Sequence, residues 1–502
     1  MSTDIAQQSV VAAKWGVISS SLKFAMQLAV NVAIARLLGP DAFGLFALAS
    51  IGLLVATFLS EVGLGWSLMQ RPALDDEVIR FVFTWQSISG LLGFALMSGA
   101  AYWMADLLRD PRLVEVMRWL GLCCLLNGLA ATATNLLRRE LRFRDLAKVQ
   151  LLSYALAYGL VGLPLAALGY GVWALVWAWV TQALLGLLLA YRARPHALRP
   201  KWSTTAPGEF VNIGFTVLIT NLCNWALTNL DRLILGRVLG TQAAGYYAVG
   251  YNLATVPNGL LISGLQPAFL ASGARLQDEP ERLARGYLEV QYLIWVVLAP
   301  LFALLAFVGA DVIAVLYGEA WMQSTPVFML LALAMPAYLA WALSTPVLWN
   351  TGRKHWESLL QLPILLIAGP VLYWAAGQSI SLVAAVAAAS FAVRAIIVMG
   401  AVWIALGLRS TEVVSLGARS STVGLLVVGT AMLLGAAATA FDWAPWLSGS
   451  AKGLAGLAAW LLLIWAFPRL LGQPSIKLLL RFLPVQWTWT QNWRKRATSG
   501  HS

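Results

Sequence analysis

The sequence predicts an all-α polytopic membrane protein of about 14 transmembrane helices, built as two six-helix lobes in parallel pseudo-twofold repeat plus an extra helix pair. Three observations predict it. Of the 502 residues, 60% are hydrophobic and 11% charged, where a soluble domain carries about 25% charged residues. The apolar residues come in runs long enough to cross a bilayer. Val149 to Tyr191 holds no Asp, Glu, Lys or Arg and is broken only at Gly169-Tyr170-Gly171, room for two helices of the roughly 20 residues that about 30 Å of hydrocarbon requires. The chain also repeats itself at an offset of 201 residues. Arg36-Leu37-Leu38-Gly39 matches Arg237-Val238-Leu239-Gly240, Gly44 matches Gly245, Phe46-Ala47 matches Tyr247-Ala248, and Gly63-Leu64 matches Gly264-Leu265.

Hydropathy and its breaks place the spans at about 14–38, 41–66, 80–105, 113–137, 146–168, 171–191, 208–237, 241–271, 286–308, 322–350, 356–377, 379–407, 418–440 and 446–468. The runs lack the ten-residue alternation of barrel strands. Residues 1–200 form the first lobe, 201–410 the second, and 411–471 hold spans 13 and 14, outside the duplication. Residues 472–502 form a basic, Trp-rich tail whose Trp487, Trp489 and Trp493 suit a membrane interface; docking of a partner is the alternative reading. Met1 to Ala13 is polar, without a cleavage-site pattern, and reads as retained.

The net charge of +12 reports orientation rather than nucleic-acid binding. With the N-terminus inside, the inside connections, helix ends and tail hold twenty-five of the basic residues. The outside set is six: Arg36, Arg109, Arg112, Arg118, Arg237 and Lys452. That asymmetry puts both termini in the cytoplasm and makes the span count even.

The candidate site is a polar stripe that occurs twice. In the first span Ser20, Lys23, Gln27 and Asn31 are spaced by 3, 4 and 4, which keeps them on one helix face. Adding the offset gives Asn221, Asn224, Thr228 and Arg232, with Asp231 beside the last. The second and eighth spans repeat the pattern more weakly, with Ser50, Thr57 and Glu61 against Tyr251, Asn258 and Ile262. Parallel repeats would set these stripes opposite each other around a central wet cavity. A charge at bilayer depth costs about 2.5–3.5 kcal/mol on insertion scales, so Lys23, Glu61, Asp231, Arg232 and Arg394 demand a use or a partner. Lys23, Gln27, Asn31, Asn221, Asn224, Thr228, Arg232, Asn258 and Arg394 are the candidate cavity residues. Two structural alternatives stay open: Asp231-Arg232 pairing with Lys23 or Glu61, and Arg394 snorkelling to the inside interface. Prolines 257, 267, 336, 346, 363 and 370 sit inside apolar runs, where they bend helices.

Enzymatic chemistry finds few carriers. There is no Walker-type loop, and the three histidines (His196, His355, His501) lie in connections or the tail. Cys123, Cys124 and Cys223 lie in apolar runs, as buried free thiols do, and no metal-ligand spacing occurs. The expectation is no enzyme, no cofactor, no metal and no nucleic-acid partner.

The six, six and two arrangement resembles the polysaccharide transporters of the multidrug/oligosaccharidyl-lipid/polysaccharide exporter superfamily. Ala35 to Ser50, ARLLGPDAFGLFALAS, is similar to that family's first hairpin. Asp231 to Tyr251, DRLILGRVLGTQAAGYYAVGY, resembles its Asp-x-x-x-Ile-Gly-x-x-Leu-Gly…Gly-x-Tyr signature, with Leu235 where Ile is usual. The resemblance implies a flippase that moves an undecaprenyl-diphosphate-linked oligosaccharide across the bacterial inner membrane for exopolysaccharide, capsule or O-antigen synthesis, with membrane lipids and polymerase or export machinery as partners. It also implies a basic cavity for the diphosphate and a lipid tail held near spans 13 and 14. The related peptidoglycan-precursor flippases use several arginines in the first lobe; this chain has only Lys23 deep there. With no nucleotide site the energy would come from a proton or sodium gradient, with Glu61 and Asp231 as coupling candidates. A drug/cation antiporter of the same superfamily and a membrane-embedded polysaccharide polymerase are the alternatives. The first would want an acidic cavity and usually twelve spans, the second a long outside loop.

Overall fold

The computed structural model describes residues 2–60, 68, 75–202, 214–276, 279–408, 422–433 and 444–466, and no strand occurs among them. The first repeat opens with α1 (Ser2–Ser60), two helical arms divided at Gly39, where φ is 75° and ψ is 174°. After it come α2 (Asp76–Leu108), α3 (Arg112–Arg139), α4 (Phe143–Ala157, continued by a π turn at Tyr158–Gly162 and by Leu163–Ala167) and α5 (Val172–Ala193). The second repeat opens the same way. Its α6 (Gly214–Arg275) divides at Gly240, with φ 84° and ψ −178°. It is followed by α7 (Pro280–Tyr292, continued through a π turn at Leu293–Leu298 and Ala299–Phe307), α8 (Gly309–Leu316) and a 3-10 turn at Glu319–Ser324. Then come α9 (Thr325–Asn350), α10 (Lys354–Ala376), α11 (Ile380–Leu406), α12 (Thr422–Leu433) and α13 (Pro445–Ala466).

Among the described residues, nine helices are long and apolar enough to cross a membrane. With α1 and α6 each divided at its glycine, the described helices overlap the predicted spans. Hydropathy missed α8 and the 3-10 turn, which occupy what reads in sequence as a plain connection.

The matched glycines explain why the two openings agree. Gly39 and Gly240 occupy a backbone region essentially closed to residues with a Cβ, so the chain can change direction there without a loop. The change is a true reversal at Gly240. Asp231 and Tyr247, sixteen positions apart, are hydrogen-bonded, whereas a continuous helix would separate them by about 24 Å.

The chain packs as two compact units: residues 1–248 with 376–378, and residues 249–375 with 379–502. In the first unit α2 and α3 meet backbone to backbone. A Cβ on Gly90 would lie 2.8 Å from the Cys124 carbonyl oxygen, and one on Gly128 would lie 2.7 Å from that of Gln86. Small residues are what lets membrane helices associate, since lipid is as apolar as their side chains. The buried Thr132 hydroxyl donates to Gln86 Oε1 at 2.6 Å and locks the crossing.

In the second unit Tyr287, Ile294, Leu339, Leu343, Val398 and Val402 bring α7, α9 and α11 together. Val423 and Val427 seat α12 against Val296 and Val297. Helix α13 is clasped to α8. Lys452 Nζ meets Asp311 Oδ2 at 2.9 Å with side chains 15% and 14% exposed, and Gly449 gives Asp311 room, since a Cβ there would come within 2.6 Å of Asp311 Cβ.

Basic residues of the minority set are committed to partners. Arg112 pairs with Asp41 and Asp110. Arg118 donates to the Tyr102 hydroxyl at 2.6 Å, Arg237 donates to the Asp106 carbonyl at 3.3 Å, and Lys452 is held as above.

Candidate functional site

The first stripe lies on the leading arm of α1. Lys23, Gln27 and Asn31 follow one another at four-residue steps along an unbroken helix and are half-buried. The Asn31 carbonyl Oδ1 is buried without a hydrogen-bond partner among the described residues. Burying an amide oxygen unpaired costs about 1–3 kcal/mol, so this position favours any donor that reaches it.

The second stripe, on the leading arm of α6, is tied to its own helix. The Thr228 hydroxyl donates to the Asn224 carbonyl, Asn229 Nδ2 donates to the Trp225 carbonyl at 2.8 Å, and Arg232 Nη2 donates to the Thr228 carbonyl at 3.0 Å. Each is an i−4 back-bond, the usual local refuge for polar side chains in a helix. Asn224, Thr228 and Arg232 stay half-buried. These back-bonds satisfy part of the stripe's polar groups within its own helix.

Asp231 behaves differently from its neighbours. It is 4% exposed. One carboxylate oxygen accepts the Tyr247 hydroxyl at 2.5 Å, and the other accepts the Arg232 backbone amide at 2.8 Å. The signature's Asp and its Tyr therefore join the two arms of the α6 hairpin. In the first repeat the same positions are Val30 and Phe46, and Phe46 packs edge-on against Trp179 at 5.2 Å. A carboxylate at this place is thus a property of one repeat only.

Asn258 and Arg394 belong to the second unit. Asn258 Nδ2 donates to the Met335 carbonyl at 3.0 Å, which binds α6 to α9. Arg394 does not snorkel. It is 2% exposed, donates to Gln361 Oε1, and its guanidinium carbon sits 3.4 Å from the Trp341 ring centroid. A buried cation over an indole face is a favourable arrangement when desolvated. The side chain of Asn221 and all of Glu61 lie outside the described residues.

Sequence reasoning missed the glutamines. Pro346 has no amide hydrogen, so the carbonyl of Ala342 loses its i+4 donor. Gln266 Nε2 supplies one at 3.2 Å. Gln291 and Tyr287 both reach Ser344, at 3.3 and 2.8 Å. The available signal was a lone Gln inside an apolar run, at 266, 291 and 361.

Fold and site together define a polytopic helical membrane protein. Residues 33–326 match the family described as polysaccharide biosynthesis protein, and the chain belongs to that family. It is similar to the succinoglycan biosynthesis transport protein ExoT of Rhizobium meliloti (strain 1021), with 25% identity over 73% of this chain and 74% of that protein. It is also similar to the lipopolysaccharide biosynthesis protein WzxC of Escherichia coli (strain K12), with 24% identity over 65% of this chain and 66% of that protein. Its fold resembles that of the lipid II flippase MurJ in an inward closed conformation, at a TM-score of 0.70 and 11% identity, covering 90% of this chain and 98% of that one.

Proposed function

We propose that this chain is a flippase for lipid-diphosphate-linked oligosaccharides, carrying the sugar headgroup across a bacterial inner membrane for surface polysaccharide synthesis. The observation that carries the reading is the paired stripe. Lys23, Gln27 and Asn31 on α1 and Asn224, Thr228 and Arg232 on α6 recur at one offset in a member of a polysaccharide biosynthesis family. Amides and hydroxyls suit sugar hydroxyls, and a lysine with an arginine suits a diphosphate.

A sugar-diphosphate cannot cross hydrocarbon unaided, so the stripes supply a hydrogen-bonded path while the lipid tail stays in the bilayer. The repeats rock to open that path to one face and then the other. Asn258 and Arg394 would reach a substrate only after α9 to α11 rearrange, because both are bonded to neighbouring helices. The chain acts without a resident cofactor and without catalysing a covalent step. Both termini face the cytoplasm, a polymerase or export complex receives the product, and Asp231 and Glu61 are the groups we assign to proton or sodium coupling.

Deleting the gene and measuring lipid-linked sugar on each membrane face is the test. Accumulation on the cytoplasmic face, reversed by the intact gene, is the expected result. Unchanged distribution between the faces would sink the proposal.

A further inference from the structure

The two hairpins touch each other in a reciprocal way. A Cβ on Gly44 would strike the Thr241 carbonyl oxygen, and a Cβ on Gly245 would strike the Pro40 carbonyl oxygen. Those four positions are two pairs at the same 201-residue offset. The contact is therefore a local twofold, formed where the second arms of α1 and α6 begin.

One side chain spans it. Arg112, at the start of α3, donates from Nη1 to Asp41 Oδ2 at 2.7 Å and from Nη2 to Asp41 Oδ1 at 3.2 Å and Thr241 Oγ1 at 3.3 Å. Thr241 in turn donates its hydroxyl to Asp41. Asp41 belongs to the first repeat and Thr241 to the second, so Arg112 and Asp41 together staple the hairpins.

The same arginine has a second, permanent partner. Nε and Nη2 both donate to Asp110, at 3.0 and 2.7 Å, and the Arg112 backbone amide also donates to it, at 3.0 Å. The Asp110 side chain is 11% exposed, whereas Asp41 and Arg112 are 50% and 52% exposed. The interactions on Asp41 are thus solvent-facing and weak, while the one on Asp110 is sheltered. Breaking the first leaves no stranded charge.

We propose that Arg112 is a releasable latch. It holds Asp41 and Thr241 together while the hairpins are crossed, and keeps Asp110 when they part. The corners at Gly39 and Gly240 then move as rigid ends, closing one mouth of the path in this conformation and opening it in the next. The inference rests on reading the chain as an alternating-access transporter, and it names the contact that must break once per cycle.

The test uses the full chain with Cys123, Cys124 and Cys223 replaced by Ala, in sealed membranes. In that background Asn224→Cys reports access to the path, and Tyr170→Cys marks the hairpin face. Asp41→Ala leaves the Arg112–Asp110 pair intact. It should raise the rate at which an impermeant maleimide labels Asn224→Cys from the hairpin face by roughly two- to fivefold, the effect of losing a solvent-exposed charge pair. A labelling rate equal to the parent's overturns the latch. In a second protein, Asp41→Cys with Thr241→Cys should cross-link under mild oxidation, and the cross-link should suppress that labelling until it is reduced. Failure to cross-link, or labelling undiminished by the cross-link, also overturns it. Neither readout involves a sugar, so a wrong substrate would show as intact gating without export.

Discussion

Replacing Gln266 with Met tests how the bent helices of the second unit are held. In α9 the Ala342 carbonyl cannot receive the usual amide, because residue 346 is proline. Ala342 is 4% exposed, so water does not substitute. Gln266 Nε2 at 3.2 Å is the donor that remains. Leaving a buried carbonyl unpaired costs about 1–3 kcal/mol, and side-chain bonds inside membranes average about 0.6 with a maximum of about 1.7. Gln266→Met keeps the length and loses the donor, so a loss of about 1–2 kcal/mol is expected in reversible unfolding from mixed micelles. The cause is isolated by the cycle with Pro346→Ala, which returns an amide hydrogen to α9. In that background Gln266→Met should cost at least about 1 kcal/mol less. An equal cost in both backgrounds would refute the claim that Gln266 stands in for the missing amide.

Gly245→Leu should lower thermal stability by several degrees and Ala248→Leu should do the same, but only Gly245→Leu should also prevent cross-linking of Asp41→Cys to Thr241→Cys, because its side chain lands on the Pro40 backbone. Asp311→Asn should loosen α13, since it leaves the Lys452 ammonium in a site where that side chain is only 15% exposed; the double change Asp311→Leu with Lys452→Met should recover most of the loss, as judged by protease nicking of α13. His196 sits against Phe83 and Tyr191 at 5.1 and 5.4 Å, and burial, aided by the charge of Arg194, holds its pKa below the usual histidine value. The neutral ring is the form the fold accepts, so its stabilising effect is complete above about pH 6.5 and is lost as pH falls through the lowered value. Melting curves from about pH 7.5 to 5 should show that decline, and His196→Phe should flatten it.

The hairpins were legible because their signals are local. Gly39 and Gly240 are written in the same four-residue context, and the spans flanking them are long apolar runs. The stripes were legible for the same reason, since a helix fixes which residues share a face. The partners of those residues were not. That Asp231 meets Tyr247 rather than Lys23 depends on the chain reversing at Gly240 and bringing the arms side by side. That Gln266 meets Ala342 depends on a proline 80 positions later. Helix α8 escaped notice because its eight residues are too few to carry a span signal, although Asp311 within it decides where α13 docks.

If two copies of one polar stripe carry a sugar-diphosphate through the bilayer, translocation in proteoliposomes measures it most directly, with a lipid-diphosphate-linked glycan loaded in one leaflet and a membrane-impermeant glycosidase supplied at the other. The intact chain should render the glycan cleavable far faster than protein-free vesicles, and Lys23→Gln combined with Arg232→Gln should return the rate to the protein-free level without loss of folded protein. A doubly substituted chain that moves the glycan as fast as the intact one would contradict it.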